Sequence, residues 1–173
     1  MRVTPATVED EYRWVYDRSR DIVPLINAVR DELEDRFETD VDRISDAQYE
    51  REVDAVFADG DLAVNVAAMT ALLRDLDVEA DYPGFVVDEL LGRQLAGAIA
   101  GNQPFGLLGE ATFHYADATH HPDGADDAED DPAGRDDLDA ALAAGFQTRL
   151  PGWNWTDAES PFTVDAAVRR TDR

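Results

Sequence analysis

Residues 7–37 read TVEDEYRWVYDRSRDIVPLINAVRDELEDRF. Along this stretch Val8, Tyr12, Val15, Ser19, Ile22, Ile26, Val29, Leu33 and Phe37 recur at alternating steps of four and three. That spacing keeps side chains on one face of a helix, so the stretch predicts an amphipathic helical element of about four heptads, on the order of 40 Å long. Thr7 followed by Asp10 has the form of a capping-box variant at its start. Pro24 lies off the stripe and cannot donate a backbone hydrogen bond, which predicts a kink or a break into two helices between Asp21 and Pro24. The first third of the chain is therefore expected to be elongated.

Working outward, Ser45 and Gln48 form a second capping box, with Ile44 and Tyr49 placed as its hydrophobic staple. Tyr49, Val53, Val56 and Phe57 make the expected buried face of this helix, and Gly60 its stop. Asp61 is placed to cap a following helix with the stripe Leu62, Val66, Met69, Leu73 and Leu76. The short Asp59-Gly60-Asp61 link predicts that the two pack side by side and antiparallel. After a turn at residues 81–84, with Pro83 suited to a first helical position, a further helix runs from about Phe85 to Ala100 and stops at Gly101-Asn102. Its inner face is Val87, Leu91, Leu95 and Ile99 or Ala98. Gly92, Ala96 and Gly97 leave one side nearly bare, which admits another backbone at close range, from the same chain or from a neighbouring subunit.

Beyond residue 102 the period changes. Gln103-Pro104-Phe105-Gly106 is turn chemistry, and residues 111–116 alternate Phe113 and Tyr115 with Thr112 and His114, the pattern of a half-buried strand. Residues 122–134, PDGADDAEDDPAG, hold no large apolar side chain and read as a solvated loop. Asp136 or Asp137 then opens a short helix with Leu138 and Leu142, closed by Gly145. Phe146, Leu150, Trp153, Trp155 and Phe162 follow in an extended segment broken by Pro151 and Pro161. A terminal segment with two indoles within three residues of each other has to dock, on its own domain or on another chain. The fold class expected is mainly α: a bundle of about four helices over 1–102, a small β-hairpin over 103–121, an acidic flexible loop over 122–134, and a short helix with an extended aromatic C-terminal arm over 135–173.

Composition narrows the functional classes. At 173 residues, 44% hydrophobic and 31% charged, the chain can bury one ordinary core. Its formal charge is −24, all fifteen basic residues are arginine, lysine is absent, and Asp outnumbers Glu by 27 to 12. Such a surface resembles that of proteins from extreme halophiles, where short carboxylates hold water in multimolar salt. The Debye length there is about 3 Å, so net charge steers little. No basic stripe exists for nucleic acid; Arg169, Arg170 and Arg173 come closest. The absence of cysteine excludes disulfides and thiolate metal sites. No apolar run has the length of a membrane span and the start lacks a leader pattern, so the expected location is cytoplasmic or a virion.

Three histidines within eight residues form the main chemical signal: His114, His120 and His121, with Glu110 and Asp117 beside them. Imidazoles and carboxylates are the ligands of divalent metals, and these five residues are the candidate metal set; exposure on a hairpin tip is the plain alternative. The acidic loop lacks the ligand spacing of an EF-hand. No Walker loop, G-x-S-x-G elbow or dinucleotide fingerprint occurs. No catalytic residue and no cofactor is assigned, and Arg74 and Arg93 read as ion-pair anchors.

In the order of its elements, a long amphipathic start, a helix with a small-residue face, a hairpin with an acidic loop and an aromatic terminal arm, the chain resembles the ring-forming head–tail adaptor (connector) proteins of tailed viruses, here of halophilic archaea. The resemblance implies a homo-oligomeric ring, contacts with other protein subunits through the arm, and no enzymatic activity. The interface residues expected on this reading are Trp153, Trp155, Phe162, Gly92 and Gly97. Two alternatives are a metal-dependent enzyme or small-molecule-binding protein using the histidine cluster, and a regulatory, antitoxin-like helical module that binds one protein partner.

Overall fold

The computed structural model describes residues 1–38, 40–76, 81–101, 105–120 and 135–152. Seven helices run through them: α1 (Pro5–Asp17), α2 (Ser19–Phe37), α3 (Asp46–Ala58), α4 (Gly60–Arg74), α5 (Asp81–Ala100), α6 (Phe105–His120) and α7 (Arg135–Gln147). The mainly helical class holds, with seven helices in the described residues where about four were expected.

The amphipathic stretch divides as the proline suggested, but at Arg18 rather than between Asp21 and Pro24. Tyr49 supplies the cause. Its hydroxyl donates to the Val15 carbonyl at 3.1 Å, and the Arg18 N–H takes the same oxygen at 3.3 Å, so the helical ladder is diverted at this carbonyl. Pro24 stays inside α2 with its ring exposed, where water can take the carbonyl that its missing N–H leaves. The capping box of α1 lies three residues earlier than expected: the Thr4 hydroxyl accepts from the Thr7 N–H, and the Thr7 hydroxyl accepts from the Thr4 N–H. Freed from one axis, α1 folds back onto α3 and α4.

The Ser45–Gln48 box opens α3 as read, with Ile44 and Tyr49 buried beside it. Gly60 does not end α3 but begins α4. Asp59 is the cap, its side chain accepting from the Leu62 N–H at 3.2 Å, a role expected of Asp61. One residue between helices leaves no room for a reversal, and the axes turn by 110° instead of lying antiparallel.

The largest correction concerns residues 105–120. They form α6, and no strand occurs there, so the hairpin expected over 103–121 is replaced by helix through its described part. The buried positions are Gly106, Gly109, Thr112, Phe113 and Ala116, a helical recurrence carried mostly by small residues. The Phe113/Tyr115 alternation that suggested a strand reflects which residues are large, not which are buried. Residues 122–134 lie outside the described residues.

Helix α7, expected as a minor element of a C-terminal arm, is the centre of the molecule. Leu138, Ala140, Ala141, Leu142, Ala143, Ala144 and Phe146 are all at most 1% exposed. A helix sealed on every side belongs to the core, and α7 packs on α5, α6, α2 and α4. Gly145 does not close it. A Cβ there would lie 2.7 Å from the Ile99 Cβ and 3.0 Å from the Ala96 oxygen, while one on Gly109 would lie 2.9 Å from the same oxygen. Three backbones therefore converge on Ala96, and α5, α6 and α7 form one tightly packed trio.

This arrangement has a direct consequence. Leu142→Ala is expected to lower the unfolding free energy by about 2–5 kcal/mol, and Gly145→Ala by about 1–3 kcal/mol through overpacking. Gly60→Ala, where an added Cβ meets nothing within 4 Å, is expected to be neutral or mildly stabilising. Urea unfolding midpoints of the three variants check this ordering.

Candidate functional site

Two regions gather chemically competent side chains. The first is the seam between α5 and α6. Gly97 faces Glu110, Gly92 faces Phe113, and His114 Nε2 lies 3.5 Å from Glu89 Oε1, so the two helices run antiparallel. The close approach that Gly92 and Gly97 permit is to α6 of the same chain: a Cβ on Gly92 would sit 2.6 Å from the Phe113 ring, and one on Gly97 2.9 Å from the Glu110 carboxylate. Glu110, His114 and Asp117 fall on one face of α6 by their spacing of four and three. The His114 side chain is 54% exposed and lies beside the Glu89 carboxylate, with the Phe113 ring 5.5 Å from its own. His120 ends α6, and His121 lies outside the described residues. Among the described residues, no group of three His, Asp or Glu side chains could hold a metal ion.

The second region is where α7 ends and the chain turns toward its C-terminus. Arg30, on α2, is fully buried. Its Nη1 donates to the Asp42 and Pro151 carbonyls at 2.5 and 2.8 Å, and its Nη2 to those of Gln147 and Leu150 at 3.4 and 3.5 Å. Burial pulls this guanidinium down to about 10, with Asp42 acting in the opposite sense. It stays charged at neutral pH, and backbone oxygens carry much of its solvation. Beside it the Asp42 N–H donates to the Gly152 carbonyl at 3.0 Å. Gly152 has φ +101°, and a Cβ would meet Asp42 at 2.8 Å, so only glycine fits. Asn27 fastens the same loop, its amide pairing with both the N–H and the carbonyl of Ile44 at 2.8 and 3.0 Å. Trp153, Trp155 and Phe162 lie outside the described residues, immediately beyond this latch.

A further set of charged groups lies about Trp14 and α7. Arg18 pairs with the buried Asp139 on α7 and with Asp21, and its guanidinium lies 5.2 Å from the Trp14 ring centre. Arg74 lies 5.5 Å from the same ring and grips Glu11 with two bonds of 2.6 and 2.7 Å. Burial opposes the charge on Arg74, but the Glu11 and Asp75 carboxylates outweigh it and raise the guanidinium above its ordinary value. Arg74 was read as an ion-pair anchor, and it is one. Burial, and then the Asp139 charge, push the Tyr49 hydroxyl up, so that it acts only as a neutral donor. Arg30, Arg18 and Asp139 were not singled out from the sequence. The available signal was Val23, Asn27 and Arg30 on one helical row inside the buried arc of α2.

Open hollows among the described residues accompany these groups. One of about 260 Å³ lies between α1 and α3, walled by Val8, Tyr12, Phe57 and Ala58 with Glu9 and Asp54 on its rim. Tyr12 donates to Asp54 at 2.8 Å, which holds its hydroxyl up at about 12. A second, of about 280 Å³, borders the latch at Asp42, Arg43, Gln48, Pro151 and Gly152. The third is formed by Glu34, Asp35, Glu38 and Asp40. Among the described residues no single helix is long and apolar enough to cross a membrane.

Replacing Arg18 by Met removes a guanidinium from the buried Asp139 carboxylate and is expected to cost about 3–5 kcal/mol. Joint replacement, Arg18→Met with Asp139→Leu, is expected to recover most of the loss, because both buried charges leave together. Chemical denaturation of the single and double variants reads the difference.

A family model described as a domain of unknown function, DUF7984, matches residues 1–166, and the chain belongs to that family. No curated protein matches the chain. No solved structure matches it.

Proposed function

We propose that this member of the DUF7984 family is a non-enzymatic assembly protein. It works through protein–protein contacts as one subunit of a multimeric complex, in the manner of the connector proteins of tailed viruses, within a cell or virion bathed in concentrated salt. The observation that carries this reading is the outer face of α4. Residues 62–73, LAVNVAAMTALL, hold no charged side chain in a chain that is 31% charged, yet Val64 and Leu72 are 45% and 42% exposed. Each square ångström of apolar surface left in water forgoes about 25 cal/mol. Half of that span is buried; its exposed part is the row of Val64, Asn65 and Leu72, which puts no charge on a surface otherwise crowded with carboxylates. Depletion of charge is the compositional mark of the centre of a protein interface.

The lysine-free, Asp-rich composition supports the salt-adapted setting. Trp153, Trp155 and Phe162 supply further apolar surface, in keeping with an arm that reaches a second subunit. Light scattering coupled to size exclusion, at low and at multimolar salt, tests the proposal. A mass several times 19.1 kDa in multimolar salt, rising with protein concentration, is expected. A 19.1 kDa monomer at every salt and protein concentration overturns it.

A further inference from the structure

We infer that the hollow between α1 and α3 is a binding site for an arginine side chain, presented by a basic segment of another protein. The site stands whether or not the chain assembles with its own copies. Tyr12 and Phe57 form its walls, their rings 5.5 Å apart and edge-on at 62°, with Val8 and Ala58 completing the apolar lining. Glu9 and Asp54 stand on the rim. The Tyr12 hydroxyl donates to Asp54 Oδ1 at 2.8 Å, which fixes that carboxylate beside the ring. Glu9 gives Oε1 to Arg13 at 2.8 Å, in a pair more than half exposed on both sides. Among the described residues the second oxygen of each carboxylate is left for a ligand.

Walls and rim select the two parts of the ligand. Ring faces and carboxylates both attract a cation, and the apolar lining suits an alkyl stem. The volume of about 260 Å³ is under the roughly 300–1,000 Å³ of pockets that enclose a whole small molecule, and it suits one side chain. In multimolar salt the Debye length is about 3 Å, so carboxylates alone hold a cation weakly and contact with the rings decides. A guanidinium is less hydrated than an ammonium and lies flat on a ring, which selects arginine over lysine. The chain itself repeats the arrangement. Arg18 and Arg74 lie 5.2 and 5.5 Å from the Trp14 ring centre while holding Asp139 and Glu11. Arg36 lies 5.5 Å from the Tyr115 ring centre while holding Glu32. At Tyr12 and Phe57 the rings and carboxylates are in place, but among the described residues no guanidinium lies over either ring.

Charge complementarity names the source. A second copy brings a net charge of −24, and its Arg13, Arg18, Arg36, Arg43, Arg74 and Arg149 each already hold a carboxylate of their own chain. A protein with arginine to spare supplies what this surface lacks.

Nuclear magnetic resonance of the full-length protein in multimolar salt, read at the ring protons of Tyr12 and Phe57, tests the site. The probe is a capped Gly-Arg-Gly peptide, compared with its citrulline version, which keeps the shape without the charge, and with its lysine version. The arginine peptide is expected to shift both rings saturably in the millimolar range, and the other two to bind roughly fivefold more weakly. Asp54→Asn, which still accepts from Tyr12, is expected to weaken the arginine peptide by a similar factor. Glu50→Gln removes a carboxylate outside the hollow, the one that takes the Tyr16 hydroxyl, and is expected to change nothing. Absence of a saturable shift at these rings, or equal binding of the arginine and citrulline peptides, overturns the site. Equal binding of the lysine peptide overturns the choice of guanidinium. Equal loss in Asp54→Asn and Glu50→Gln shows bulk attraction to an acidic surface and also overturns the site. Should Asp54→Asn lose its helical circular dichroism, the comparison of peptides on the parent decides. Shifts at the same rings on concentrating the parent alone show that a second copy is the occupant, and overturn the assignment to another protein. The peptide comparisons do not depend on the mass of the parent, so the assembly reading and this one fail separately.

Discussion

From Leu138 to Gln147 helix α7 has no face toward water, and the charged and polar groups it carries there must therefore be met from inside. That constraint shapes the rest of the molecule. Asp139 on α7 is held by Arg18, and the carbonyls at the end of α7 are held by the buried Arg30. To deliver Arg18, the first helix has to break at that residue. To deliver Arg30, α2 has to run past the end of α7. Tyr49 then fills the corner, with its ring 5.0 Å from Phe146 in an edge-to-face contact and its hydroxyl on the broken turn of α1. Break, latch and core are thus one device.

The device is suited to strong salt. The exposed pairs Arg13–Glu9, Arg36–Glu32 and Arg43–Asp31 contribute little at any ionic strength and less when screened. Buried or aromatic-backed pairs are screened far less, and those are where Arg18, Arg30 and Arg74 are placed. Arginine rather than lysine serves here because a planar fork bonds several oxygens at once and stacks on an indole, as Arg18 and Arg74 do at Trp14. Net negative charge keeps the outside hydrated; a few guanidiniums fix the inside.

The helical class, the Ser45 box with its staple and the Gly101 stop were legible in the sequence, because each depends on a few neighbouring residues. The Thr4 box and the Asp59 cap were misplaced by two or three residues, since several Thr and Asp side chains in a row offer equivalent capping oxygens. The identity of α6 and the centrality of α7 were not legible. Both helices are buried through Gly and Ala, which a reading weighted by large hydrophobic residues passes over, and the two conspicuous aromatics of α6 happen to alternate. The candidate site divides similarly. Gly92 and Gly97 were recognised as places of close approach, but which backbone fills them depends on tertiary structure. His114, Glu110 and Asp117 were seen as neighbours, whereas the helix sets them in a row along the α5 seam. The latch at Arg30 joins residues 30, 42, 147 and 151 and has no local signature at all.

The account joins a salt-resistant centre to a salt-dependent outer strip, and hydrogen exchange followed by mass spectrometry observes both in one experiment. Amides of α7 are expected to exchange most slowly at every salt concentration at which the chain is folded. Those of α4 are expected to gain protection as salt and protein concentration rise. Exchange of α7 as fast as that of the exposed ends of α1, or α4 protection indifferent to protein concentration, would contradict it.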